Sequence, residues 1–174
     1  DLYAPQSTLD AEGRRILTAW LRMPEPVDGQ WQGMMSIPRV VEVKEGHIYF
    51  RVHPNIQAAY TREISAPSEA DESGYRLRFS LEDGDKVNVG GYIIFRSGNK
   101  IYTDRSELYK KFPNFRKKFE TPELKDGFEM EVYVNPNQIS VFANNGEAVI
   151  TNAVYDLSEK IEADVKVKIE TSSF

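Results

Sequence analysis

The amino-acid sequence predicts an all-β protein, an antiparallel two-sheet β-sandwich preceded by two or three further strands. Three observations predict it. Nearly every periodic segment repeats with period two, the pleat of a strand, and not with the 3.6 of a helix. Beyond residue 74 the apolar runs recur roughly every ten residues, the rhythm of strands joined by hairpins. Nine Phe and nine Tyr stand among many Val and Ile, a mixture that suits pleated, half-buried surfaces.

The elements follow in order. Residues 15–21 form a strand candidate after a turn at Asp10-Ala11-Glu12-Gly13, and Pro24 and Pro26 then mark a loop. Residues 39–43 and 47–52, separated by Lys44-Glu45-Gly46, read as a hairpin. Residues 54–74 carry no long apolar period, so a linker is placed at about 54–60. Seven further strands are expected at 75–81, 92–95, 100–103, 128–134, 139–143, 148–153 and 163–170. Residues 75–81 and 165–169 alternate apolar with charged, which predicts strands buried on one side only. Asn144-Asn145-Gly146-Glu147 between two apolar runs is the strongest hairpin signal. Residues 106–119 are the one stretch in which a helical turn or two is expected, interrupted by Pro113.

Composition narrows the function classes. Cysteine is absent, which excludes disulfides, thiolate metal sites and cysteine nucleophiles, and which fits a cytoplasmic location. The net charge of −5 argues against general nucleic-acid binding. No apolar run approaches the roughly 18–20 residues of a membrane-spanning helix. The chain begins Asp1-Leu2-Tyr3-Ala4, without an initiating methionine or a secretory leader, and is expected to be the interior of something longer.

Self-sufficient catalytic signatures are missing: the sequence has no P-loop, no G-x-S-x-G and no H-E-x-x-H. His47 and His53, six residues apart, share a strand face without an evident third metal ligand. Residues 109–119 interleave five basic side chains with Tyr109, Phe112, Phe115 and Phe119. That pattern suits single-stranded nucleic acid, but it suits better a loop anchored by its aromatics with the lysines in water.

Specific strings carry a resemblance. Asp1-Leu2-Tyr3-Ala4-Pro5-Gln6, Gly13-Arg14-Arg15-Ile16-Leu17, Trp20, Trp31-Gln32-Gly33 and Ile37-Pro38-Arg39 occur in that order. They resemble the end of the catalytic domain of glycoside hydrolase family 32, with its D-F-Y-A-x-Q, G-R-R-I-L, Trp, W-x-G and T-P-R-E. Thr103-Asp104-Arg105-Ser106 resembles that family's L-D-R-S, and residues 132–147 resemble its closing F-V-D-x-S-S-V-E-V-F-V-N-D-G-E. Departures are Leu2 for Phe, Val40 for Glu, and Asn135, Ser140 and Asn145 in the closing motif.

The resemblance implies a five-bladed β-propeller followed by a β-sandwich. Residues 1–55 are then the remnant of the final propeller blade or blades plus linker, and residues 56–174 the C-terminal sandwich. The family's three catalytic carboxylate motifs, N-D-P-N-G, R-D-P and E-C, are not in this sequence, so no catalytic residue is assigned and the chain alone is expected to be inactive. Two sugar-contacting positions are implied, Asp1 on the floor of the pocket and Trp20 at its rim. The implied activity is retaining hydrolysis of a β-fructofuranoside, sucrose or sucrose 6-phosphate, with no metal or other cofactor. The implied role of the sandwich is structural or in oligomer contacts. Residues 15–21 and 39–43 are expected to pair with propeller strands outside this chain, leaving open edges through which residues 1–55 self-associate. The alternative is a free-standing carbohydrate-binding or interaction module with a lectin-like sandwich.

Overall fold

The computed structural model describes residues 2–125 and 127–173. Its first unit is a five-stranded antiparallel sheet of β1 (Leu2–Leu9), β2 (Arg15–Leu21), β3 (Met34–Met35), β4 (Arg39–Lys44) and β5 (His47–Val52). The order is β1-β2-β4-β5, with β3 also against β2. Asp10 tightens the first turn: its carboxylate accepts the backbone N–H groups of Glu12 at 3.0 Å and Arg14 at 2.8 Å. Ala4 has φ 46°, and the β1–β2 register slips between Tyr3 and Gln6. The extra residue makes a bulge where Pro5 has no N–H to give. Pro38 interrupts the strand opposite β2 in the same way. Ser36 bridges that break, because Ala19 N–H donates to its hydroxyl at 3.0 Å and Ser36 N–H returns a bond to Ala19 O at 2.8 Å.

A short helix α1 (Pro54–Ala59) leads out of β5. Proline at its start needs no hydrogen-bond partner, and the His53 ring accepts from Asn55 N–H at 3.2 Å. The sandwich follows: β6 (Tyr60–Ile64), β7 (Tyr75–Ser80), β8 (Lys86–Val89), β9 (Tyr92–Ser97), β10 (Lys100–Asp104), β11 (Lys118–Glu120), β12 (Glu129–Asn135), β13 (Gln138–Ala143), β14 (Ala148–Ala153), β15 (Ile161–Ala163) and β16 (Lys168–Ser172). One sheet has the order β14-β13-β12-β7-β16-β6 and the other β11-β10-β9-β8-β15. Their facing sides share one core, in which Leu77, Val87, Ile94, Ile101, Val132 and Ile139 are wholly buried. Each such side chain contributes about 1.5–3 kcal/mol of transfer free energy. The hairpin at 144–147 forms as expected, with Asn144, Asn145 and Gly146 all at positive φ.

The front sheet packs on the outer face of the six-stranded sheet. Val52, Ile37 and Ile56 meet Tyr60, Tyr133 and Phe142, while Leu21 and Met23 meet Tyr109, Ala153 and Tyr155. Gly146 lies so close to β5 that a Cβ there would sit 2.4 Å from Phe50 O, so glycine is required for this approach.

Several expectations need correction. Residues 15–21 and 39–43 do not wait for outside partners: β2 pairs with β1, β3 and β4, and β4 pairs with β2 and β5. The sandwich strands are not all buried on one side only. Every residue of β13 is buried, because the front sheet covers its second face. On β7 the expected charged face holds Arg76, buried beside Glu170 at 2.7 Å. The 163–170 strand is two strands in different sheets, β15 and β16, joined through a bend. Residues 106–119 form turns and the start of β11 without a helix, whereas the expected linker at 54–60 holds α1 and the first residue of β6.

Candidate functional site

Trp20 owes its setting to strand alternation. On β2, Ala19 and Leu21 are wholly buried toward the sandwich, so Trp20 between them points to the opposite face, where it is 37% exposed. It is therefore not a core tryptophan. The β1–β2 register sets Tyr3 opposite Trp20, with ring centroids 6.1 Å apart in an edge-to-face arrangement. The Arg22 guanidinium lies 5.9 Å from the Tyr3 ring centroid. Met35 stands across from Trp20 on β3, and Trp31 is exposed nearby in sequence. Gly33 sets the indole's position: a Cβ there would fall 2.0 Å from Trp20 Nε1. Trp20 and Tyr3 together make an outward aromatic platform, suited to the C–H faces of a sugar ring. Asp1, the other expected contact, lies outside the described residues.

The arrangement supplies an exposed apolar and aromatic surface. Retaining hydrolysis needs one carboxyl raised toward neutral pH to protonate the leaving group. Among the described residues, the carboxyls whose acidity the fold clearly moves all move down. Asp10 and Glu170 fall to about 2: desolvation opposes ionisation in both, and hydrogen bonds outweigh it, from Arg14 and His53 in the first and from Lys168, Arg78 and Arg76 in the second. Asp71 is lowered by the Ser172 and Ser73 hydroxyls, and Glu162 by Lys160. Asp104 is also lowered, because Ser106 and Lys118 overcome its desolvation.

The remaining candidates have structural occupations. His47 Nε2 lies 2.9 Å from Glu147 O, and His53 Nε2 lies 3.2 Å from Asp10 Oδ2, so the two rings serve different contacts. Among the described residues no group of three or more His, Asp or Glu is placed to hold a metal ion. In the basic-aromatic segment, Tyr109 is wholly buried and Phe112 and Phe115 pack around it, while Lys110, Lys111 and Lys118 are exposed. Arg105 secures this loop with its guanidinium 3.8 Å from the Tyr109 ring centroid and a bond to Ala153 O at 2.6 Å. Sequence reasoning did not single out Tyr3 or Gly33. The tryptophan partner of Tyr3 is fixed by cross-strand register, and the requirement at Gly33 by a contact thirteen residues away in sequence.

Fold and site together define a class: a two-sheet β-sandwich preceded by an extra antiparallel sheet that presents an outward aromatic surface. Comparison with known proteins names the family. "Glycosyl hydrolases family 32 N-terminal domain" matches residues 1–54, and "Glycosyl hydrolases family 32 C terminal" matches residues 40–173. The chain belongs to glycosyl hydrolase family 32. A sucrose-6-phosphate hydrolase of Vibrio alginolyticus is 30% identical over 89% of this chain and 35% of its own length. The solved structure of a sucrose-6-phosphate hydrolase from Lactobacillus gasseri shares the fold with a TM-score of 0.78 at 17% identity, over 99% of this chain and 41% of that one. The Bombyx mori GH32 beta-fructofuranosidase does so with a TM-score of 0.73 at 14% identity, over 98% of this chain and 40% of that one. The chain thus spans little more than a third of the length of the curated relative.

Proposed function

We propose that this chain is the C-terminal part of a retaining β-fructofuranosidase acting on sucrose or sucrose 6-phosphate. Residues 1–55 complete the sugar-binding domain, and residues 56–174 form the supporting sandwich. The observation that carries the reading is the outward platform of Trp20 and Tyr3, at the end of a sheet whose sequence matches the family's N-terminal domain. The names of the relatives support the substrate class. In this reading Trp20 stacks at the rim of the sugar pocket and Asp1 accepts sugar hydroxyls at its floor. A carboxylate nucleophile and a protonated Glu, both outside this chain, form and hydrolyse the fructosyl intermediate with retention. The absence of cysteine agrees with a reducing compartment, so the reading places the protein in the cytoplasm.

The chain by itself is inactive in this reading. Its outer edge β1 is closed by a second copy of the chain, since an exposed strand edge beside apolar side chains recruits another strand. The test uses the longer protein and this chain in parallel, with sucrose and sucrose 6-phosphate. The longer protein should release fructose first as the β-anomer, and Trp20→Ala should raise KM about tenfold, the loss of roughly 1.4 kcal/mol of stacking. The 174-residue chain should show no turnover. Hydrolysis by the chain alone, lost on substituting one of its own carboxylates, would overturn the reading. So would a longer protein that hydrolyses neither sugar.

A further inference from the structure

The inner face of the front sheet carries a charge that no carboxylate among the described residues pairs with. Arg39 projects from β4 onto the sandwich and is 4% exposed. Its Nη2 donates to the Thr151 hydroxyl, its guanidinium lies 5.7 Å from the Phe142 ring centroid, and its Nε has no hydrogen-bond partner. Burial without a compensating carboxylate lowers its pKa to about 10. The fold treats its other buried arginines differently. Arg76 pairs with Glu170 and Glu131, and Arg105 donates to the carbonyls of Ala153 and Arg116. A buried guanidinium served by one neutral hydroxyl is a costly arrangement in a monomeric core.

Arg39 also lines a cleft of about 500 Å³ between the front sheet and the sandwich. Its other walls are largely apolar, formed by Leu17, Ile48, Phe50, Pro122, Val149 and Ile150. Glu120 and Glu147 line it as well, but each is already committed. Glu120 binds Lys100 Nζ at 3.1 Å, and Glu147 accepts from Lys125 N–H at 3.0 Å and Asn144 Nδ2 at 2.8 Å. These two carboxylates disfavour a dianion such as sulfate or a phosphate monoester, whereas a single negative charge on an apolar body meets both the guanidinium and the walls.

We propose that this cleft is an anion site, in which Arg39 binds the carboxylate of a monoanionic ligand whose apolar body lies between the front sheet and the sandwich. The site is on the opposite face of the front sheet from Trp20 and is independent of sugar binding there. Hexanoate is the probe, titrated calorimetrically into the 174-residue chain, with hexan-1-ol and sulfate as comparisons. Hexanoate should bind saturably with one site and should raise the melting temperature. Arg39→Met should weaken it at least about tenfold. Because Arg39→Met can disturb folding, Ile48 supplies a second test from an exposed position on the cleft wall. Ile48→Asp should weaken hexanoate binding and Ile48→Lys should retain or tighten it, with the circular dichroism of both unchanged. Equal affinity for hexan-1-ol, tighter binding of sulfate, indifference to the sign of charge at position 48, or no saturable binding below about 10 mM would each overturn the proposal.

Discussion

The front sheet and the sandwich are made from similar strands, yet they are completed differently. The sandwich closes its core within itself: β7, β8, β9, β10, β12 and β13 all send side chains into one buried cluster. The front sheet has no such second layer on its outward side. Among the described residues, the large apolar side chains that remain exposed all belong to residues 2–48, including Tyr3, Trp20, Trp31 and Met35. Its inward side is covered only because the sandwich lends it Phe142, Tyr133, Tyr109 and Tyr155. The difference teaches that one unit closes its own core, whereas the other is held by one docked face and leaves its opposite face exposed.

Truncation should reveal this asymmetry most strongly. Leu77→Ala removes a wholly buried side chain from the shared core and should cost about 2–5 kcal/mol in chemical denaturation. Ile48→Ala, half exposed on β5, should change stability by no more than about 0.5 kcal/mol. Equal losses would erase the distinction between the two regions.

Acid should come next in size, and it should act on the sandwich. Glu170 is nearly fully buried on β16, with Arg76, Arg78 and Lys168 around it. Its pKa falls from 4.5 to about 2, since those cations outweigh the desolvation that opposes ionisation. A depressed folded-state pKa means that the folded protein holds the charged form more tightly than the unfolded chain does. That contribution is complete above about pH 5, reaches roughly 3 kcal/mol, and is lost as the pH falls toward 2. Denaturation measured across that window should show the decline, and Glu170→Gln should flatten it. A wild-type stability that does not vary between about pH 5 and pH 2 would remove Glu170 from the account.

The smallest effect on stability should come with a clear change in assembly. β1 is exposed along its length, and its outer edge has no partner strand among the described residues. Sedimentation should find the 174-residue chain as a dimer or larger assembly. Leu9→Lys on that edge should return a monomer while moving stability by no more than about 0.5 kcal/mol. A wild-type chain that sediments as a monomer at high concentration would show that docking on the sandwich already satisfies the front sheet.

Legibility varied with how local the signal was. Residues 75–81 declared themselves through alternation, residues 128–134, 139–143 and 148–153 through apolar runs at regular spacing, and the turn at 144–147 through asparagine and glycine that tolerate positive φ. β1, β6 and β8 did not. β1 contains Pro5 and a bulge, β6 has three polar residues in five, and β8 is four residues long, so each is a strand because neighbours pair with it. The helix α1 left a readable trace, proline at its first position after His53, but six residues are too few for periodicity. At the candidate site, the family's motifs gave Trp20 a role, whereas Tyr3, Gly33 and Arg39 stand in the same motifs without one, and only the structure shows what they touch.

The sequence by itself determined the strand chemistry, the sandwich architecture and the family, because period two and motif order are properties of neighbouring residues. Tertiary structure alone decided which faces those strands present. The register of β1 on β2 sets Tyr3 beside Trp20, and the docking of the front sheet turns the outer face of β13 into a second core. The same docking buries Arg39 without a carboxylate partner among the described residues, because its side-chain contacts Phe142 and Thr151 come from β13 and β14, far along the chain. Packing between distant segments is a sum over surfaces that meet only after folding, and no local pattern in either segment carries it.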